Sequence, residues 1–239
     1  FLCGVYAGAT GAANHPKRLF TPTVRMFVMP KIEAPSALLM QFAKWPEAGR
    51  VKTRLIPALG VSGALDAHLT LTLAVLDNLC GAGLPVQFWW DRAMEAVPED
   101  AQEVVRAIEH QGLEQRIQKG ANLGVRMLGA LDSGLESHPL AIIVGSDCPS
   151  VEPGYVHQAV AGLQEYDVVL GPSDDGGYVL IGARRVVPHM LDDIAWGTEG
   201  VLEQTCERLK ELGLSVGLLE PRWDVDEPED WARFQLTLR

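Results

Sequence analysis

From residue 36 onward, apolar runs too short for a buried helix alternate with segments of helical length that are apolar on one side, and this constrains the chain more than anything else in it. Layered alternation of this kind implies an α/β fold with helices covering both faces of a mostly parallel central sheet. Residues 37–43 (ALLMQFA) read as the first strand. A helix is expected over 61–80, where Leu65, Leu69, Leu73, Leu76 and Leu79 recur near helical spacing. Strands follow at 85–90 and 115–118, with a helix at 101–110 between them and another at 123–135. Residues 140–144 (LAIIV) have the composition of a strand buried on both faces. A helix at 153–163, strands at 168–170 and 178–181 around a Gly-rich turn, a helix at 199–212, a strand at 215–219 and a helix from Pro228 complete the order. No repeat or linker divides residues 36–239, so a single domain is expected there.

Residues 1–13 are apolar and small, and no basic region precedes them. The expectation for 1–35 is a disordered extension or a mis-called start, with Met26, Met29 or Met40 as the true beginning, rather than a clipped signal peptide. Cys3, Cys80, Cys148 and Cys206 form no CxxC pair, which argues against a disulfide framework or a structural zinc and favours a cytoplasmic setting. A formal net charge of −11 leaves no general attraction for nucleic acid or anionic membrane. No apolar run reaches the roughly 18–20 residues of a spanning helix, so no membrane partner is expected.

An anionic ligand must then be held locally, and one segment stands out. Lys44, Arg50, Lys52 and Arg54 follow the first strand in the run KWPEAGRVKTRL, with Gly49 shaping the loop and Thr53 between two of the cations. In a doubly wound sheet the carboxyl ends of the strands form the ligand crevice, so these cations suit a di- or triphosphate. Neither a Walker loop nor GxGxxG is present. The alternative is a solvated basic loop.

The central strand runs into Gly145-Ser146-Asp147-Cys148-Pro149, which aims Asp147 into the same crevice as a ligand for a hard cation, or makes it a cap for the next helix. Within GPSDDGGYVLIG, Asp175, Gly176, Gly177 and Tyr178 allow close approach of a substrate and a proton acceptor, or simply an Asp-Gly hairpin turn. In WDVDEPEDW, Pro228 opens a helix with Asp226 as its expected cap, while Asp224 lies where it can meet Asp147 and complete a metal site. Thr198 is expected to cap a helix, and Arg126 to form a surface salt bridge, with contact to a phosphate as the alternative. No HExxH or GxSxG appears.

Taken in order, FAKWPEAGRVKTRL, GSDCP, GPSDDGGYVLIG and WDVDEPEDW resemble the DUF2064 family of GT-A-type proteins, also called selenodomain-associated transferase 1. The resemblance spans residues 37–239. It implies a GT-A (Rossmann-like) three-layer sandwich akin to the nucleotide-diphospho-sugar transferase superfamily, including the molybdenum-cofactor and phospholactate nucleotidyltransferases. It further implies a nucleotide over Lys44, Lys52 and Arg54, Asp147 as metal ligand with Asp224 or Asp226 as the second carboxylate, and an acceptor facing the Asp175–Tyr178 stretch. The usual Asp-x-Asp is absent because Cys148 and Pro149 follow Asp147, and Asn122 stands where an Asp is common. These departures bring the layout closer to nucleotidyltransferases.

Three readings follow. The first is an Mg²⁺- or Mn²⁺-dependent transfer of a glycosyl group from a nucleotide-diphospho-sugar to a small acceptor, with Asp175 as base. The second keeps the crevice but moves a nucleotidyl group from a triphosphate to a phosphorylated small molecule, releasing pyrophosphate. The third is a nucleotide-binding module without catalysis.

Overall fold

A computed structural model describes residues 36–238; the extension expected at 1–35 lies outside the described residues. Seven strands form one sheet in the order β3-β2-β1-β4-β6-β5-β7. The strands are β1 (Ala37–Ala43), β2 (Val86–Trp90), β3 (Glu114–Ile117), β4 (Leu140–Gly145), β5 (Val168–Pro172), β6 (Tyr178–Ala183) and β7 (Val216–Leu218). All neighbours pair parallel except β6, which runs antiparallel between β4 and β5. The unbroken apolar runs of β1 and β4 arise because both faces are covered, and every residue of β1 is buried.

Helices α1 (Ile56–Gly81), α2 (Gln102–His110) and α4 (Pro153–Glu165) cover one face, and α3 (Leu123–Leu135) and α5 (Val201–Glu211) the other. The last helix, α6 (Pro228–Thr237), packs Phe234 with Val225 against Leu71 of α1. Three layers result, as the alternation in sequence requires.

Several local expectations need correction. The backbone of α1 breaks at Gly60 (φ 73°, ψ 172°), so its continuous part matches the expected helix and the preceding turn is separate. Among the described residues Thr53–Gly81 is long and apolar enough, by length and composition, to cross a bilayer. Asp66, His68 and Asp77 interrupt the run as read along the sequence. In the fold its apolar stripe, including Ala64, Leu71, Val75 and Leu79, is buried within the protein. The start of α5 falls at Val201 rather than 199, because Thr198 turns its hydroxyl back to Ala195 O (2.8 Å) and caps nothing. Asp226 does not cap α6 either. Glu227 and Asp230 form a reciprocal capping box there, which leaves Asp226 free to face the cleft.

Candidate active site

The chain steps from β1 outward to β2 and β3 on one side, then crosses back through α3 to place β4 on the other side of β1, and a crevice opens at this reversal. The strand ends beside it are tied to each other beyond their last paired residues. Asp91 N donates to Ala43 O (2.8 Å), Gln118 N to Trp90 O (2.8 Å) and Ser146 N to Phe42 O (3.0 Å). Each strand thus delivers its next residue to one rim.

The loop after β1 is anchored by Trp45. Its ring stacks on Trp90 at 3.7 Å and 7°, its indole donates to Arg92 O (2.8 Å), and its backbone N–H donates to Asp91 Oδ1 (2.9 Å). A stacked pair of this kind adds about 0.5–1.5 kcal/mol beyond its burial. Gly49 supplies a positive φ of 78° in the turn and lines neither lobe of the cleft, so its role is to bend the loop. Lys52 follows in the left-handed region (φ 43°, ψ 45°), which is uncommon for a residue with a Cβ. That turn drives its side chain inward.

The Lys52 ammonium donates to Asp147 Oδ2 (3.1 Å), Asp226 Oδ1 (2.9 Å) and Val225 O (2.5 Å). Its side chain is 7% exposed, against 40% for Asp147 and 41% for Asp226. Burial alone would lower the lysine's affinity for its proton, but the charges of Asp147 and Asp226 overcome this and raise it above the ordinary value. Burial likewise works to raise Asp147, and the Lys52 charge outweighs it to hold the carboxyl below the usual range. Arg54 reaches Asp226 (3.4 Å) and Glu227 (3.6 Å) from a more exposed position.

This knot divides one cleft into two lobes. The first, of about 600 Å³, is lined by Lys44, Lys52, Thr53, Arg54 and Arg126 with Ser146, Asp147 and Asp226. Arg126 makes no ion pair of the expected kind among the described residues; its Nε donates to Gly120 O (3.1 Å) and it faces the cleft. The second lobe, of about 310 Å³, holds Asp175, Gly177, Tyr178, Asp224 and Asp226 on its wall, with Arg54 shared between the two.

Gly176 faces neither lobe. A Cβ there would run into the backbone of Glu199, and Gly176 O accepts from Leu202 N (2.9 Å), so this glycine joins the hairpin to α5. Asp175 Oδ1 accepts from Gly177 N (3.0 Å) and from the Ser173 hydroxyl, closing the β5–β6 turn, while its Oδ2 makes none of these bonds. The hairpin and cavity readings of GPSDDGGY are therefore both satisfied.

Asp224 lies in the connection between β7 and α6, beyond the bridge pairing Ser173 with Arg222, rather than at a strand end. Burial, with the charges of Asp147, Asp226 and Asp175, pushes its pKa up to about 7. No group of three or more His, Cys, Asp or Glu side chains stands ready for one metal ion among the described residues. Lys52 occupies the space between Asp147 and Asp226. Asp147 lines the first lobe and Asp224 the second, and the charge of Asp147 acts on Asp224; carboxylate oxygens of this kind are the hard ligands that Mg²⁺ or Mn²⁺ would take alongside phosphate oxygens.

Sequence reasoning missed His68, Asp91 and Gln118 on the first lobe. Asp91 and Gln118 each follow a strand at its carboxyl end, which is the signal that would have found them. His68 lies on the buried stripe of α1; burial lowers its pKa despite its Nε2 hydrogen bond to Lys44 O (3.1 Å), so the neutral ring donates there.

Residues 85–198 match the family model described as an uncharacterized protein conserved in bacteria, DUF2064. The chain is similar to that family over this segment, a little under half of its length. Its structure is similar to that of a candidate nucleotide-diphospho-sugar transferase from Desulfovibrio desulfuricans G20, with 29% sequence identity and a TM-score of 0.76 over 85% of this chain and 87% of that one. A CMP:2-keto-3-deoxy-manno-octonic acid synthetase complexed with CTP shares the fold at 12% identity and a TM-score of 0.55, over 85% of this chain and 98% of that one. So does a nucleotidyl transferase from Methanothermobacter thermautotroptrophicus, at 16% identity and a TM-score of 0.55, over 84% and 97% of the two chains. No curated protein matches by sequence. Residues 85–198 therefore sit in a nucleotide-diphospho-sugar-transferase-like fold.

Proposed function

We propose that this protein is a cytoplasmic transferase that binds an activated nucleotide in the cation-lined lobe and passes its glycosyl group to a small acceptor in the other. The carrying observation is the two-lobed cleft with the Lys52–Asp147–Asp226 knot at its junction. Lys44, Arg54 and Arg126 suit the diphosphate of a nucleotide sugar, whose leaving group gains negative charge as the glycosidic bond breaks. Mg²⁺ or Mn²⁺, when bound by Asp147 and Asp224, would supply further neutralisation of that diphosphate.

The reaction balances with these groups alone. An acceptor hydroxyl forms a bond to the anomeric carbon as the bond from that carbon to the diphosphate oxygen breaks, and the hydroxyl proton passes to Asp175 Oδ2. Trp45 and Asp91 hold the loop so that the cations do not reorganise during the step.

Incubation with a panel of nucleotide sugars and alcohols, in Mg²⁺ or Mn²⁺, tests this directly. Release of nucleoside diphosphate is expected. Release of pyrophosphate from nucleoside triphosphates would establish nucleotidyl transfer instead, and EDTA-indifferent nucleotide binding without turnover would establish a binding module.

A further inference from the structure

The acceptor-side lobe differs in chemistry from the lobe beside it. Met127, Ile143, Ile181, Trp196 and Val201 line it as an apolar chamber. Trp196 sets its edge against the Tyr178 ring, with centroids 6.3 Å apart at 81°, which gives the chamber a rigid aromatic side. The polar groups gather at one end, where Asp175, Asp224 and Asp226 face a single Arg54. That arginine is already engaged by Asp226 and Glu227.

The sign of this end matters for what can enter. A phosphate or carboxylate on the acceptor would meet Asp175 and Asp224 with no unpaired cation to receive it, since Asp226 already engages Lys52 and Arg54, and like charges brought together out of bulk water repel strongly. An apolar body, by contrast, gains by leaving water for the Trp196 side, and a neutral hydroxyl can donate to a carboxylate at the polar end. Charge and shape select together.

We propose that the acceptor is an uncharged alcohol with an apolar body, seated against Trp196 with its hydroxyl toward Asp175 and Asp224, and that phosphorylated acceptors are excluded. This rests on the reading of the lobe as the acceptor side of a transferase. It separates that reading from any route that requires a phosphorylated acceptor.

The test measures binding without turnover, in metal-free buffer, by calorimetry with 2-phenylethanol and 2-phenylethyl phosphate. A ligand this small is expected to bind in about the millimolar range. The alcohol should bind at least about tenfold more tightly than its phosphate ester. Trp196→Ala should remove alcohol binding. Asp175→Asn, which keeps the Oδ1 acceptor of the turn and removes one negative charge, should improve the ester several-fold and weaken the alcohol slightly by the loss of one acceptor, narrowing the difference between them. Tighter binding of the ester, or no alcohol binding in either the parent or Asp175→Asn protein, would overturn the proposal. Thermal stabilisation by UDP, CDP and GDP, followed separately, tests the nucleotide reading: nucleotide binding without alcohol binding removes the inference alone.

Discussion

The two lobes of the cleft are built from the same sheet, yet they solve opposite problems. The lobe at the ends of β1 to β4 gathers Lys44, Lys52, Arg54 and Arg126 beside Asp91, Asp147 and Asp226, whereas the lobe beside β6 sets carboxylates against an apolar chamber. A protein of net charge −11 thus concentrates several of its cations on one side of one crevice. The difference teaches that the boundary matters more than either lobe, because Lys52 neutralises Asp147 and Asp226 where opposite potentials meet.

Removing the boundary should have the largest effect. Lys52→Met leaves two carboxylates facing each other, and turnover, read as nucleoside diphosphate release, should fall by about 10²–10³-fold. Denaturant unfolding should show a loss of about 1–3 kcal/mol, below the figure for a fully buried pair because both carboxylates keep contact with water. An unchanged rate would show that the lobes operate without the knot.

Asp147→Asn should reduce turnover by at least about 10²-fold with the fold retained by circular dichroism, since it removes both the Lys52 partner and a metal ligand. It also bears on acid stability. Asp147 is held below its ordinary pKa in the folded protein, so its pairing stabilises the protein at neutral pH and that contribution is lost as pH falls through the folded value. The variant should be less sensitive to acid than the parent.

Asp224 behaves in the opposite sense. With a folded pKa of about 7 against an ordinary 3.8, its protonation favours the native state below pH 4, and this contribution disappears as pH rises through 7. Asp224→Asn should therefore flatten the stability profile between those limits and gain about 1–2 kcal/mol at pH 8, after allowance for solvent screening. Added Mg²⁺ should stabilise the parent at that pH more than the variant. The smallest effect is expected on the basic side, where Arg126→Ala should weaken nucleotide binding about three- to tenfold and leave acceptor binding alone.

The fold was readable because covered strands and one-sided helices leave different periods in the chain, and β1, α3 and β4 fall almost where the pattern puts them. The candidate site was readable where a residue follows a strand directly, as Asp147 follows β4. Lys52 was legible as one of the cations, but its inward turn was not, because that depends on a left-handed backbone and on a carbonyl at Val225, far away along the chain. Nor could spacing tell that Gly176 serves the junction with α5 while its neighbour Gly177 faces the cavity, because that depends on where Glu199 arrives. Asp226 read as a cap for the same reason. The capping box of Glu227 and Asp230 is visible only once the turn of the chain is known.

The three bonds of Lys52 also impose an order on biosynthesis. They join it to partners 95, 173 and 174 positions further on, so the nascent chain can pair β1 with β2 long before it has the means to finish the crevice. A chain stalled short of residue 225 would leave the lysine with Asp147 alone of its three partners. Competence to handle a nucleotide should wait until residues 225 and 226 have been made.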